Sequence, residues 1–279
     1  MKYSLAVLCA AMAVGVGGAH AKTFKWTSAS DIPTWDIHSQ NNALANGVHA
    51  AVYESLVYYN SKTFKPEPVL ATAWKQVTPT QLRLNLRTGV KFHDGSTFSA
   101  DDAVFSIERA MSKTSNFGIY AQGIDKVVKV DANTIDIFTK DPNPVLLNQL
   151  TELRMMSKAW AEKNNSTAPK DIKTQDENFA HRNANGTGPF MLKEWQPDQK
   201  LVLVKNASWW GKSDGNVTEI VYTPVKAVAT RMAALLSGEV DLVLDPSPQD
   251  LPRLRQDASL KVIDGIENRT IFFGMDQHR

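Results

Sequence analysis

Between Leu70 and Met111 the chain reads LATAWKQVTPTQLRLNLRTGVKFHDGSTFSADDAVFSIERAM, and few folds accommodate that pattern. Leu82, Leu84 and Leu86 alternate with Arg83, Asn85 and Arg87, the period of a strand with one buried face. Gly89 breaks the run, and Val90 and Phe92 resume the alternation, predicting a second strand. His93-Asp94-Gly95 supplies turn chemistry, because Asp bonds its own backbone and Gly tolerates positive φ. Ser99 stands three residues before Asp102, the spacing of a capping box, and Ala103, Val104, Ile107, Ala110 and Met111 follow at helical spacing. The unit reads strand, turn, strand, turn, capped helix, and nothing in it requires catalysis.

A chain of 279 residues exceeds one ordinary domain, so two lobes or a divided domain are expected. The 31 basic and 29 acidic residues are well mixed and form no Lys/Arg block, which argues against a nucleic-acid partner. Residues 1–21 differ in kind. Lys2, the apolar run Leu5–Val14 and the small-x-small site Ala19-His20-Ala21 make a secretory signal peptide, with cleavage expected after Ala21. That run is too short to span a bilayer, and no later stretch approaches ~20 apolar residues. The single cysteine, Cys9, lies inside the signal, so the mature protein has neither disulfide nor thiol chemistry.

Further along, Thr23–Trp26 predicts a first strand running into the loop Ser28–Pro33, and Trp35–Asn46 is polar and irregular. A helix is expected over Val48–Val57. After a loop punctuated by Phe117 and Tyr120, strands are predicted over Ile124–Val130 and Thr134–Phe138, and helices over Val145–Leu153 and Ser157–Lys163. Asn185-Gly186-Thr187-Gly188-Pro189 fixes a tight backbone path before the strand Met191–Trp195. Leu201–Val204 and Glu219–Tyr222 read as strands, Val225–Leu236 as an amphipathic helix ended by Gly238, and Glu239–Leu244 as the next strand. This strand–helix–strand order argues for an α/β lobe with a parallel pair. A short helix is bracketed by Pro246, Pro248 and Pro252, and Leu260–Ile263 and Ile271–Met275 close the strand pattern.

Searches for reactive constellations end in structural readings. The sequence has no H-E-x-x-H and no Cys-His spacing for zinc. Gly211-Lys212-Ser213 has Asn206 where a phosphate loop needs its first glycine, and Gly186-Thr187-Gly188 precedes a strand rather than a helix. No G-x-S-x-G elbow occurs. His93-Asp94 is explained by the turn, and Trp209-Trp210 by packing under a lobe beside Trp195 rather than by stacking on a ligand. No metal or other cofactor is expected. By themselves the residues support an exported α/β binding protein or hydrolase.

The opening stretch, the segment YESLVYYN at 53–60 and GTGPFMLKEWQPDQKLVLVKNASWW at 186–210 resemble the family 5 bacterial extracellular solute-binding proteins, the dipeptide- and oligopeptide-binding group. The resemblance implies an α/β periplasmic-binding-protein-like bilobal fold of class II with an extra inserted domain. It places a discontinuous first lobe at 22–47 and 186–279 and an inserted α/β domain at 48–185. It also implies a monomer in the periplasm that closes on a peptide or other small solute and delivers it to ABC transporter permease subunits in the inner membrane, without enzymatic activity. Nickel chelates, opines, glutathione or an oligosaccharide are the alternative solutes within the same fold, and a secreted hydrolase the remote one. Members are longer chains whose C-terminal lobe would follow the strand near Gly274, so a fragment with that lobe missing, and with weak solute binding, is the expectation. For the half-site in hand, Ser39, Gln40, Asn41 and Asn42 fall in the loop after the first strand, Phe117 and Tyr120 in an aromatic loop of the inserted domain, and Asn268 and Arg269 before the last strand.

Overall fold

Leu82, Leu84 and Leu86 point into one core with at most 4% of their surface exposed, as the alternation predicts. The computed structural model that shows this describes residues 21–174, 176–213, 215–265 and 273–275. Its elements run β1 (Lys22–Thr27), α1 (Ala43–His49), β2 (Val57–Asn60), β3 (Lys65–Pro68), β4 (Ala71–Thr78), β5 (Gln81–Leu86), α2 (Ala100–Met111) and α3 (Gly118–Ala121). There follow β6 (Ile124–Asp131), β7 (Thr134–Thr139), α4 (Leu146–Leu150), α5 (Lys158–Lys163), β8 (Phe190–Gln196) and β9 (Lys200–Lys205). The last described elements are β10 (Val217–Tyr222), α6 (Val228–Leu236), β11 (Leu242–Val243) and α7 (Leu251–Gln256).

Strands β4-β5-β7-β6 form an antiparallel sheet in that order. Leu82 faces Ile137 and Leu84 faces Ile135, all buried. On the other face Arg83 grips Asp136 with two bonds of 2.7 Å. Helix α2 covers the apolar face with Ala103, Ile107 and Ala110, and its capping box is present: Asp102 accepts the Ser99 N–H at 2.9 Å.

A second sheet has the order β11-β1-β10-β9-β8. Strand β1 runs parallel to both β10 and β11, so the predicted parallel lobe forms with β1 inserted between the two strands expected to be paired. The remaining strands alternate in direction, which makes β8 parallel to β1 as well.

Several expectations are corrected. The helix predicted over Val48–Val57 lies earlier, because Asn42 accepts the Ala45 N–H and starts it there. Beyond it, the carbonyls of Ala51 and Val52 are taken by the N–H groups of Phe190 and Gly188, and Val57 enters a strand. Val90 and Phe92 are buried, but they flank a closed loop in which Phe92 donates to the Ser96 carbonyl and Phe98 to that of Val90; no strand forms there. Strand β4 carries no alternation to read, because it is an edge strand with mostly exposed side chains. The strand expected over Glu239–Leu244 shrinks to Leu242–Val243, and Leu260–Ile263 is irregular. Residues 273–275 are not in a strand, and the rest of the last predicted strand lies outside the described residues.

Buried apolar side chains form two clusters among the described residues. One runs from Leu56 to Met155 around α2 and its sheet. The other joins Ile32, Trp35, Val52, Tyr53, Met156 and Ala180 to Leu201, Leu203 and Tyr222 of the β1-containing sheet. The change of core therefore falls between Tyr53 and Leu56, and again between Met155 and Met156.

Candidate functional site

In open α/β sheets, ligands bind beyond the carboxyl ends of the parallel strands. Here those ends carry the loop from Ser28 to Asn42, the turn after β8 and the segment after β10. Tyr222 ties them together: its hydroxyl lies 2.6 Å from Ser28 Oγ and donates to the Ser30 carbonyl. Asp31 accepts from the Trp195 indole at 2.9 Å and from the Asp198 N–H at 2.8 Å. Around these groups lies a cavity of about 500 Å3 lined by Ser30, Asp31, His181, Trp195 and Lys226 among others. Asp198 and Asp245 both hold positive φ at this end of the sheet (59° and 55°), strain uncommon for residues with a side chain.

The rest of the loop is anchored by a buried ion pair. Arg109 of α2 donates to Asp36 at 2.7 and 2.8 Å, with neither side chain exposed. Arg109 also serves the carbonyls of Ser166 and Ala168, while Asp36 accepts from Lys170 and Asn178. Burial alone would raise the Asp36 pKa, but the charge and hydrogen bonds of Arg109 outweigh it and hold the carboxyl at about 2. A saturated pair of this kind fixes the loop's path. It escaped the sequence reading because Asp102, Ser106 and Arg109 form a polar stripe on α2 that looks like a solvated face. All three are buried.

The structure brings most of the anticipated site residues together. Asn41 donates to the Tyr120 hydroxyl at 3.3 Å and accepts from Asn46 at 2.8 Å. Ser39 is buried, its hydroxyl donating to the Lys170 carbonyl at 2.7 Å and its own carbonyl accepting from Asn116. Gln40 is half-buried beside them, and Asn42 is occupied as the cap of α1. Phe117 is fully enclosed, its ring 5.8 Å from His38 and 5.9 Å from Tyr120, so it supports the rim from behind. Asn41 and Tyr120 keep open surface. Asn268 and Arg269 lie outside the described residues.

His38, His49 and His93 serve as struts that hold backbone. His38 donates from Nε2 to the Arg154 carbonyl at 3.2 Å and accepts at Nδ1 from Arg109; burial first, then the Arg109 charge, lowers its pKa to about 3. His49 donates to the Thr34 carbonyl at 2.9 Å and is lowered to about 4 by burial and then by the charge of Arg154. His93 donates to the Gly188 carbonyl at 3.0 Å and accepts from the Gly186 N–H at 3.3 Å, while Asp94 is turned to Asn185. The His93-Asp94 pair thus serves the turn, each partner holding the glycine-rich segment.

Trp209 and Trp210 do pack, but not beside Trp195. Both indoles donate to the Glu54 carboxylate, at 3.2 and 2.8 Å, and the Arg87 guanidinium lies 4.1 Å from the Trp210 ring centre. Among the described residues no group of three or more His, Cys, Asp or Glu is placed to hold a metal ion, and no helix is long and apolar enough to cross a membrane.

A mixed α/β fold with a polar rim at the strand ends defines a protein of the periplasmic-binding-protein class, and the comparisons agree. The structure superposes on that of the periplasmic binding protein DppA from Helicobacter pylori in complex with the peptide STSA, with 25% identity and a TM-score of 0.73 over 86% of this chain and 50% of that one. It also matches the binding protein MoaA from A. tumefaciens in complex with mannopinic acid, at 26% identity and a TM-score of 0.75 over 85% of this chain and 48% of the other. Residues 65–279 match the family described as bacterial extracellular solute-binding proteins, family 5 Middle; the chain belongs to that family. Curated relatives include heme-binding protein A of Haemophilus influenzae, 28% identical over 78% of this chain and 43% of the relative. The dipeptide-binding protein of Escherichia coli is 26% identical over 76% of this chain and 42% of its own length. The chain thus spans somewhat under half the length of these curated relatives.

Proposed function

We propose that the protein is the solute-capturing component of an ABC importer. It takes up peptides or a similar small solute in the periplasm and passes them to permease subunits in the inner membrane, and it makes and breaks no bond itself. Family membership over residues 65–279 is the observation that carries this reading. The rim is compatible with it, because Asn41 and Tyr120 keep polar groups at the surface while His49 and His93 are engaged in holding backbone.

In this reading Gln40, Asn41 and Tyr120 meet the solute, and Ser39, Asn42 and Phe117 set the loop that presents them. Asn268 and Arg269 are further candidates. Main-chain hydrogen bonding in a wet cleft accounts for affinity toward peptides of varied sequence. The protein acts as a monomer after cleavage behind Ala21. Residues 22–47 and 186–279 form a first lobe into which 48–185 is inserted, with 48–53 and 156–185 packing as the junction.

A non-peptide solute is the second reading, supported by the heme-binding relative and by the mannopinic acid complex. Native mass spectrometry of the protein isolated from its own cells separates the two. Adducts spread over peptide masses that yield amino acids on hydrolysis support the first. One adduct mass that yields none supports the second. A protein without adduct and without calorimetric response to a peptide mixture, mannopinic acid or heme would overturn both.

A further inference from the structure

A second cavity, of about 430 Å3, lies between the end of α1, strand β2 and the end of α4. Arg154 lines it and differs from Arg109 in one respect. Arg109 meets a carboxylate with both arms of its fork, whereas Arg154 makes one bond of 2.8 Å, from Nη2 to the Asn46 carbonyl. Its charge is felt by Glu152, which lines the same cavity without bonding it. A guanidinium carries five N–H groups, so most of its donors remain for the cavity. Arg154 is half-buried, and the Glu152 charge only partly offsets what burial costs its guanidinium, so a carboxylate bonded directly to its free donors would relieve the remainder.

The other walls narrow the choice of anion. Tyr58 and Tyr59 stand at the mouth with 55% and 37% of their surface exposed; as neighbours on β2 they turn their side chains to opposite faces of the strand, so one ring, not both, can lie against a bound molecule. Glu54 and Glu152 also line the cavity. The Glu54 oxygens are taken by the two indoles; both acids repel an anion in proportion to its charge, so a single carboxylate is the anion they oppose least.

We propose that this cavity is a second ligand site, separate from the strand-end rim, which takes a small organic monocarboxylate on Arg154 with the flat part of the molecule against one of the two tyrosines at its mouth. Its size is that of ordinary small-molecule sites. The site does not depend on the transport reading. It is nonetheless mechanically close to the rim, because Asn46, whose carbonyl Arg154 holds, donates to Asn41.

Benzoate and its neutral isostere benzamide are the probes, titrated into the purified chain by heteronuclear NMR at neutral pH and constant ionic strength. Benzoate is expected to shift the Arg154 side-chain N–H and the amides of Ser55, Tyr58 and Tyr59 saturably, with benzamide at least about tenfold weaker. Arg154→Gln keeps a donor for Asn46 and should weaken benzoate about tenfold or more. Of Tyr58→Ala and Tyr59→Ala, one should weaken both probes while leaving the preference for benzoate. Equal affinity for the two probes, no saturable shift, or unchanged benzoate binding in a folded Arg154→Gln protein would overturn the proposal. If Arg154→Gln does not fold, the benzoate-to-benzamide ratio on the unaltered protein decides alone.

Discussion

Asp94 and Asn185 hold each other through a reciprocal pair of hydrogen bonds. The Asn185 side-chain oxygen accepts the Asp94 N–H at 3.1 Å, and its amide donates to the Asp94 carboxylate at 2.9 Å. The neighbouring His93 bonds Gly186 and Gly188. The two densest stretches of the sequence, 91 residues apart, are therefore one joint between the helix-covered sheet and the strand leading into the other sheet.

Replacing Asn185 with Leu removes both bonds and leaves the Asp94 N–H and one carboxylate oxygen without their partner. A loss of about 1–3 kcal/mol in urea-melt stability is expected. His93→Leu should act on the same joint, so the double variant should lose less than the sum of the singles. Strict additivity would show that the His93 and Asn185 bonds act independently rather than as one joint.

Gly186 tests close approach. A methyl group there would sit 1.9 Å from the Val52 carbonyl oxygen, which is backbone and cannot swing away. Gly186→Ala should therefore cost about 3 kcal/mol or more. Gly47 is exposed inside α1, and a methyl group added there would meet nothing within 4 Å. Its change to Ala should instead gain up to about 1 kcal/mol by helix propensity. Thermal melts of the two variants should move in opposite directions.

The Asp36–Arg109 pair predicts a third outcome. Arg109→Met strands a buried carboxylate, and Asp36→Leu a buried guanidinium, so each should cost about 3–5 kcal/mol. The double change to Leu and Met should recover much of that loss. If the double variant were as unstable as the sum of the singles, the pair would not be the loop's anchor.

Local elements were legible where sequence period and packing agree. β5 carries Leu82, Leu84 and Leu86 inward, and the capping box at Ser99 starts α2 where its spacing says. Legibility failed where distant backbone decides. Ala51 and Val52 leave the helical path because Gly188 and Phe190 claim their carbonyls from more than 130 residues away. At the rim, the resemblance pointed to Asn41 and Tyr120, which do meet. Asp36 and Arg109 gave no signal, since a pair 73 residues apart on two polar-looking segments has no spacing to read.

The buried histidines predict how stability depends on pH. His38 and His49 have pKa values of about 3 and 4 in the fold, against an ordinary 6.5. The unfolded chain therefore takes up protons that the native chain refuses, and stability is full above pH 6.5 and falls as the pH drops toward 4 and 3. Each group contributes a slope of up to about 1.4 kcal/mol per pH unit in that range. Asp36, held at about 2 against 3.8, adds a further loss only below pH 3.8. Urea melts between pH 8 and 4 should show the decline beginning near 6.5; Glu54 and Asp102, whose carboxyls burial raises, take up protons in the fold as the pH falls further and offset part of it. His49→Gln should be less stable than the unaltered protein at pH 8 yet show the shallower slope below 6.5, because one proton-refusing group is gone. A His49→Gln variant with the same slope as the unaltered protein would mean that this imidazole is not kept neutral by the fold.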